Sequence, residues 1–139
     1  MPTGTGAVGG GEGALDVGTA TEGGGRIFTS SDPLVGDLAT QIDALAPGRV
    51  AGVNRVVRDP MTGARLTDLD IELTDVVIQV KSGKKLAGAV EQVSVSAAET
   101  GKRAVLYAPN LKPGAVKQAQ REGVEVFTSF DVLKRGLGL

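Results

Sequence analysis

The segment Val76-Val77-Ile78-Gln79-Val80 constrains this chain more than any other. It is short, β-branched and apolar at both alternating positions, which marks a strand covered on both faces. A sheet needing cover on both sides calls for helices above and below it, so the fold class is α/β. The one polar residue inside the strand, Gln79, and the lysine that ends it, Lys81, stand out for the same reason. A polar group in a doubly covered strand is costly unless something satisfies it.

The flanking sequence supplies the other elements. Ser31-Asp32-Pro33 supplies a capping side chain and a proline for a first turn, and Leu34, Leu38, Ile42 and Leu45 recur at helical spacing, predicting a helix over 33–46. Strands follow over 49–58 and 66–73, joined by the turn Asp59-Pro60-Met61-Thr62-Gly63. Thr74-Asp75 then turns the chain into the central strand. Beyond it the pattern predicts a helix over 86–100, a strand over 102–108, a helix over 113–122, a strand over 124–127 and a terminal helix over 131–135 capped by Ser129. The order α-β-β-β-α-β-α-β-α is a mixed β-sheet flanked by helices, with parallel neighbours among the last three strands because helices connect them.

The first 25 residues hold ten of the 21 glycines and no aromatic residue. Such a stretch buries too little apolar surface to offset its ordering entropy. Residues 1–30 therefore read as a flexible glycine-rich linker and 31–139 as one domain. Met1 is followed by glycines and threonines and not by the basic and apolar regions of a secretory signal, and no stretch reaches a membrane span. With no cysteine and no histidine, thiolate and imidazole metal sites and histidine acid–base chemistry are excluded. The net charge is −1, and 14 of the 15 basic and 13 of the 16 acidic residues lie beyond residue 30, so there is no overall basic excess to advertise nucleic-acid binding.

Chemistry must then rest on carboxylates, amides, lysines and hydroxyls. Two-residue periodicity puts Asp68, Asp70 and Glu72 on one face of their strand, and Gln79 and Lys81 share a face on the next. If the two strands pair as a hairpin, a carboxylate, an amide oxygen and an ammonium group converge. That set suits phosphodiester hydrolysis assisted by a hard divalent ion, with the lysine orienting or deprotonating water. An alternating acidic face is also what a solvated strand presents.

The Asp-x-Asp segment, the apolar strand ending Gln79-Val80-Lys81-Ser82-Gly83 and the helix–strand–helix–strand tail resemble the PD-(D/E)xK nuclease superfamily, which has a restriction-endonuclease-like core. More narrowly, Gly52-Val53-Asn54-Arg55, Asp70-Ile71-Glu72, the Gln79–Gly83 segment and Tyr107-Ala108-Pro109-Asn110 resemble C-terminal toxin domains of contact-dependent growth inhibition and other polymorphic toxin systems, over about 49–135. The resemblance implies a metal-dependent endonuclease toxin, with Asp70 and Gln79 at a metal, Lys81 assisting the nucleophile, and Glu72 or an acid of the first helix, Asp37 or Asp43, as further ligands. Gln79 stands where Asp or Glu is commoner, which lowers the charge available to the ion. Lys84, Lys85 and Gln92 are the implied substrate contacts. The ion expected is Mg²⁺, with Mn²⁺ or Zn²⁺ as alternatives. The toxin reading implies RNA as substrate, with tRNA slightly favoured over DNA, a cognate immunity protein, and delivery from a secreted or cell-surface carrier into a target-cell cytoplasm. A DNA endonuclease, as toxin or as housekeeping enzyme, and a catalytically dead nucleic-acid or protein-binding module are the alternatives.

Overall fold

The computed structural model describes residues 26–139 and the backbone of residues 17–20. The linker reading of the other N-terminal residues lies outside the described residues. Strand β1 (Val17–Ala20) pairs antiparallel with β2 (Arg26–Phe28). The helix α1 (Pro33–Leu45) follows, then β3 (Val50–Arg58), β4 (Arg65–Leu73), β5 (Val76–Val80), α2 (Ala89–Thr100), β6 (Arg103–Tyr107), α3 (Pro113–Arg121), β7 (Glu125–Phe127) and α4 (Phe130–Leu137).

The main sheet has the order β3-β4-β5-β6-β7, so β5 is its central strand and is buried along its whole length. The pairs β3–β4 and β4–β5 are antiparallel, while β5–β6 and β6–β7 are parallel, as crossovers through α2 and α3 require. Alternation along the strands feeds two cores. Ile71, Ile78 and Val105 pack with Leu38, Ile42, Leu133 and Leu137, which places α1 and α4 on one face. Leu106 packs with Val93 and Ala119, which places α2 and α3 on the other. The described residues thus form an α/β fold with a mixed five-stranded sheet flanked by four helices.

The packed part of the domain begins earlier than residue 31. Phe28 is buried in the core, and its backbone N–H donates to Thr40 Oγ1 at 2.9 Å. Gly36 permits this approach, since a Cβ there would stand 3.0 Å from the Phe28 carbonyl oxygen. Arg26 explains Asp43, which the sequence offered as a metal ligand. The Asp43 carboxylate is fully buried and accepts from the Arg26 backbone N–H at 2.6 Å, the Arg26 guanidinium at 3.1 Å and the Gly48 N–H at 3.2 Å. Its role is to tie β2 to the end of α1. Asp43→Ala removes the acceptor for all three donors and is expected to cost about 3 kcal/mol, at the low end for a buried pair because Arg26 can still reach water. Urea denaturation of the variant measures this.

Local rules also fix the loops around β5. Helix α2 starts at Ala89 and not at Leu86, because Ala87 (φ 45°) and Gly88 (φ 82°) both adopt left-handed backbone. Residues 81–88 are consequently an irregular connection between β5 and α2.

Candidate functional site

Strands β4 and β5 do not stay paired. Their ladder consists of Ile71 with Ile78 and Glu72 with Val77, and beyond it side chains stand between the strands. The Val80 N–H donates to Asp70 Oδ2 at 2.8 Å. The Gln79 amide nitrogen donates to the Asp68 carbonyl at 2.9 Å and to Ser96 Oγ, on α2, at 3.3 Å. Gln79 Oε1 receives a long bond of 3.4 Å from the Asp70 N–H. The polar groups of Asp70 and Gln79 replace ladder hydrogen bonds, and the splayed strand ends hold an acid between them.

This answers why a central strand tolerates Gln79, which is 2% exposed. Both its donors are satisfied, one across the gap and one by a helix, so the desolvation cost is met. A glutamate could accept the Asp70 N–H but could not donate to Asp68 or Ser96. Gln79→Glu is therefore expected to lower stability by about 3 kcal/mol at neutral pH, from the lost bond to the Asp68 carbonyl and a second buried carboxylate beside Asp70. Gln79→Met keeps the volume and should lose less, and thermal unfolding of the pair compares them.

Asp70 is half-buried, and the burial, the largest influence, pushes its carboxyl up to about 6. The Val80 N–H and Lys81 oppose the rise, while the carboxylates of Asp32 and Asp68 add to it. Oδ1 accepts no hydrogen bond among the described residues, so one oxygen of this acid keeps its acceptor capacity. Next to it lies an open cleft of about 570 Å³ lined by Asp32, Lys81, Lys84 and Lys85, with the Val80, Ser82, Gly83 and Ala87 positions completing it. Asp70 does not line the cleft itself but is bonded to Val80, which does. Lys81 is anchored by its backbone N–H, which donates to the Tyr107 carbonyl at 2.9 Å, and its ammonium makes no ion pair among the described residues.

Asp32 is the site residue that sequence reasoning placed only as a helix cap. It does cap α1, accepting from the Leu34 N–H at 3.0 Å. Its own N–H donates to Ser30 Oγ, which also receives the Asn54 side-chain amide at 2.8 Å. This chain of bonds ties the start of α1 to β3, with the Asp32 carboxylate near enough to Asp70 to raise its carboxyl. The Ser-Asp-Pro sequence signals the cap, whereas what the cap faces depends on how α1 docks.

The other sequence candidates lie elsewhere. Glu72 is buried, with Oε1 3.2 Å from Arg55 and Oε2 2.8 Å from Lys102, so both oxygens are committed to cations. Asp68 pairs with Arg65 at 2.6 Å. Asp37 is exposed on α1, Gln92 is exposed on α2, and neither lines the cleft. The structure therefore sets Asp70 against Gln79 and Val80, lines the neighbouring cleft with Lys81, Lys84, Lys85 and Asp32, and leaves Glu72, Asp37, Asp43 and Gln92 outside it.

Among the described residues no three acidic, histidine or cysteine side chains converge to hold a metal ion. The donors present still suit Mg²⁺ or Mn²⁺. Asp70 offers a free carboxylate oxygen and Asp32 a second carboxylate near it, and Mg²⁺ is commonly held by one or two carboxylates, water and substrate phosphate. Zn²⁺ fits less well, since it favours nitrogen and sulfur ligands and the chain has no histidine or cysteine. The chain matches no family model, no curated protein and no solved structure.

Proposed function

We propose that this domain is a divalent-metal-dependent endonuclease with a restriction-endonuclease-like core, acting as an interbacterial toxin on RNA. The observation that carries the reading is a single one: an acid with one oxygen free of hydrogen bonds, Asp70, is wedged between splayed strands and bonded to Val80, at the wall of a cleft whose cations are Lys81, Lys84 and Lys85. Phosphodiester hydrolysis needs a water poised for attack and positive charge where the phosphate gains negative charge. A bound divalent ion supplies Lewis acidity and lowers the pKa of coordinated water.

The chain's own groups have distinct parts in this scheme. Asp70 would hold the ion through its carboxylate, whose Oδ2 is fixed by the Val80 N–H. Asp32, which lines the cleft and acts on Asp70 electrostatically, would supply a second carboxylate. Gln79 bridges the parted strands and leaves room between them for the Asp70 carboxylate. Lys81 orients the attacking water and offsets charge at the phosphate, while Lys84 and Lys85 hold the flanking strand.

The toxin assignment, the preference for tRNA, the carrier and the immunity protein rest on the sequence resemblance. Expression of the chain alone in a bacterial cytoplasm should arrest growth, and RNA from the arrested cells should contain fragmented tRNA. Nicked plasmid with intact tRNA would move the substrate to DNA. Undisturbed growth with both polymers intact would contradict the toxin reading. No described helix is long and apolar enough to cross a membrane.

A further inference from the structure

We propose that the nucleic-acid backbone leaves the cleft across the loop joining β6 to α3, with Lys112 joining Lys84 and Lys85 as a phosphate contact. The proposal deepens the nuclease reading and rests on it for the identity of the bound strand. Cations elsewhere in the domain are largely paired with carboxylates, as in Arg26 with Asp43, Lys102 with Glu72 and Arg103 with Glu125. Lys84, Lys85 and Lys112 are exposed and make no ion pair among the described residues. No aspartate or glutamate occurs in residues 81–90 or 101–121, so the two loops that carry these lysines hold no internal counter-charge.

The loops form one platform. The Lys112 N–H donates to the Lys84 carbonyl at 3.1 Å, and the Asn110 side-chain amide donates to the Ser82 carbonyl at 3.1 Å. Both loops leave the carboxyl ends of the parallel strands β5 and β6, where open α/β sheets bind their ligands. On the neighbouring side a separate groove between α2 and α3 is lined by Glu91 and Glu122, and these carboxylates repel a polyanion. The favourable path therefore runs from the cleft over Lys84 and Lys112. Tyr107 is buried, and Phe28, Phe127 and Phe130 pack with the core on the α1 face, so this track has no aromatic platform for bases. It grips phosphate, and binding should tolerate any sequence.

The test is fluorescence anisotropy of the full chain in EDTA, so that no cleavage occurs, with labelled oligo(U), oligo(A) and oligo(dT) over a NaCl series. Each phosphate contact with a single strand contributes about 0.7 to the slope of log affinity against log salt. Lys112→Ala should flatten the slope by about 0.7, and the Lys84→Ala/Lys85→Ala/Lys112→Ala variant by about 2, with at least a roughly tenfold loss of affinity at low salt. Arg135→Ala on α4 should behave as wild type, and the three polymers should bind within about threefold of one another. Lys112→Ala with wild-type affinity and slope overturns the track, as does a strong preference among the polymers or a wild-type chain that does not bind at low salt. A chain that binds through Lys112 and never cuts, with any metal, overturns the nuclease reading and leaves the track standing. One that cuts while Lys112→Ala binds unchanged does the reverse.

Discussion

Replacing Lys81 by methionine is expected to lower the single-turnover rate of phosphodiester cleavage by about 10²–10⁴-fold, the span typical of a lost proton-handling or charge-stabilising group. Stability should barely change. The Lys81 ammonium makes no ion pair among the described residues, and the position is held by its backbone bond to Tyr107, which methionine retains. Methionine also keeps most of the aliphatic stem that packs at the cleft edge. The arginine variant separates two roles. Guanidinium retains the positive charge but stays protonated at any working pH and is planar and bulkier than an ammonium. Full rescue by Lys81→Arg would mean that only charge matters, and failure to rescue would mean that the ammonium's size or its proton is used. Pre-steady-state cleavage of one labelled RNA, with urea denaturation run in parallel, reads both quantities.

Asp70→Asn should yield a protein that is more stable than wild type at neutral pH and inactive. Burial lifts the Asp70 carboxyl to about 6 from an ordinary value of 3.8, so the folded state holds its proton where the unfolded state has released it. The folded chain thus binds more protons between those two values, and stability falls as pH rises through them. Above about pH 6 the cost of ionising Asp70 is fully present, on the order of 3 kcal/mol by conversion of the shift. Asparagine cannot ionise, and its side-chain oxygen can still accept the Val80 N–H. The gain should therefore be present at pH 7.5, shrink through the window from about 6 to about 4, and vanish below it. A bound divalent ion would offset the same cost, so Mn²⁺ should raise the melting temperature of the wild type at pH 7.5 and leave Asp70→Asn unmoved. Cleavage by the wild type should decline as pH falls through about 6, because protonated Asp70 is a poor metal ligand. A destabilised Asp70→Asn would mean that the carboxylate is favourably paired in the fold, contrary to its burial.

The legible part of the fold follows from local periodicity. The run from Val76 to Val80 does form the central, fully buried strand, and the turn at Asp59–Gly63 does join β3 to β4. Gly63 supplies the positive φ of 76° that such a turn needs. Helix α2 starts later than its pattern suggests, since no apolar spacing reveals that Ala87 and Gly88 turn left-handed. Arg26–Phe28 was hidden inside a glycine-rich context, because three residues are too few for a period and their importance lies in distant partners, Asp43 and Thr40.

The site divides in the same way. Asp70, Gln79 and Lys81 could be singled out because the two-residue period of strands is exact enough to assign faces. The period could not show that β4 and β5 part beyond Ile71 and Ile78, nor that Gln79 would spend both donors bridging that gap. Glu72 has the same spacing as Asp70 yet meets Arg55 and Lys102, and only the register of β3 and the docking of the segment before β6 decide that. Asp32 lies 38 positions before Asp70 in the chain and meets it through helix docking. Distinguishing a bridged acid from a paired one takes tertiary structure.

The most direct measurement is cleavage of labelled tRNA and plasmid DNA by the purified chain in Mg²⁺, in Mn²⁺ and in EDTA, with Asp70→Asn and Lys81→Met beside the wild type. Cleavage of one polymer that requires the divalent ion and is lost in both variants is the expected result. Cleavage that persists in EDTA, or in a folded Asp70→Asn protein, would contradict a metal-assisted site built on Asp70 and Lys81, and so would a wild-type chain that cuts neither polymer with either ion.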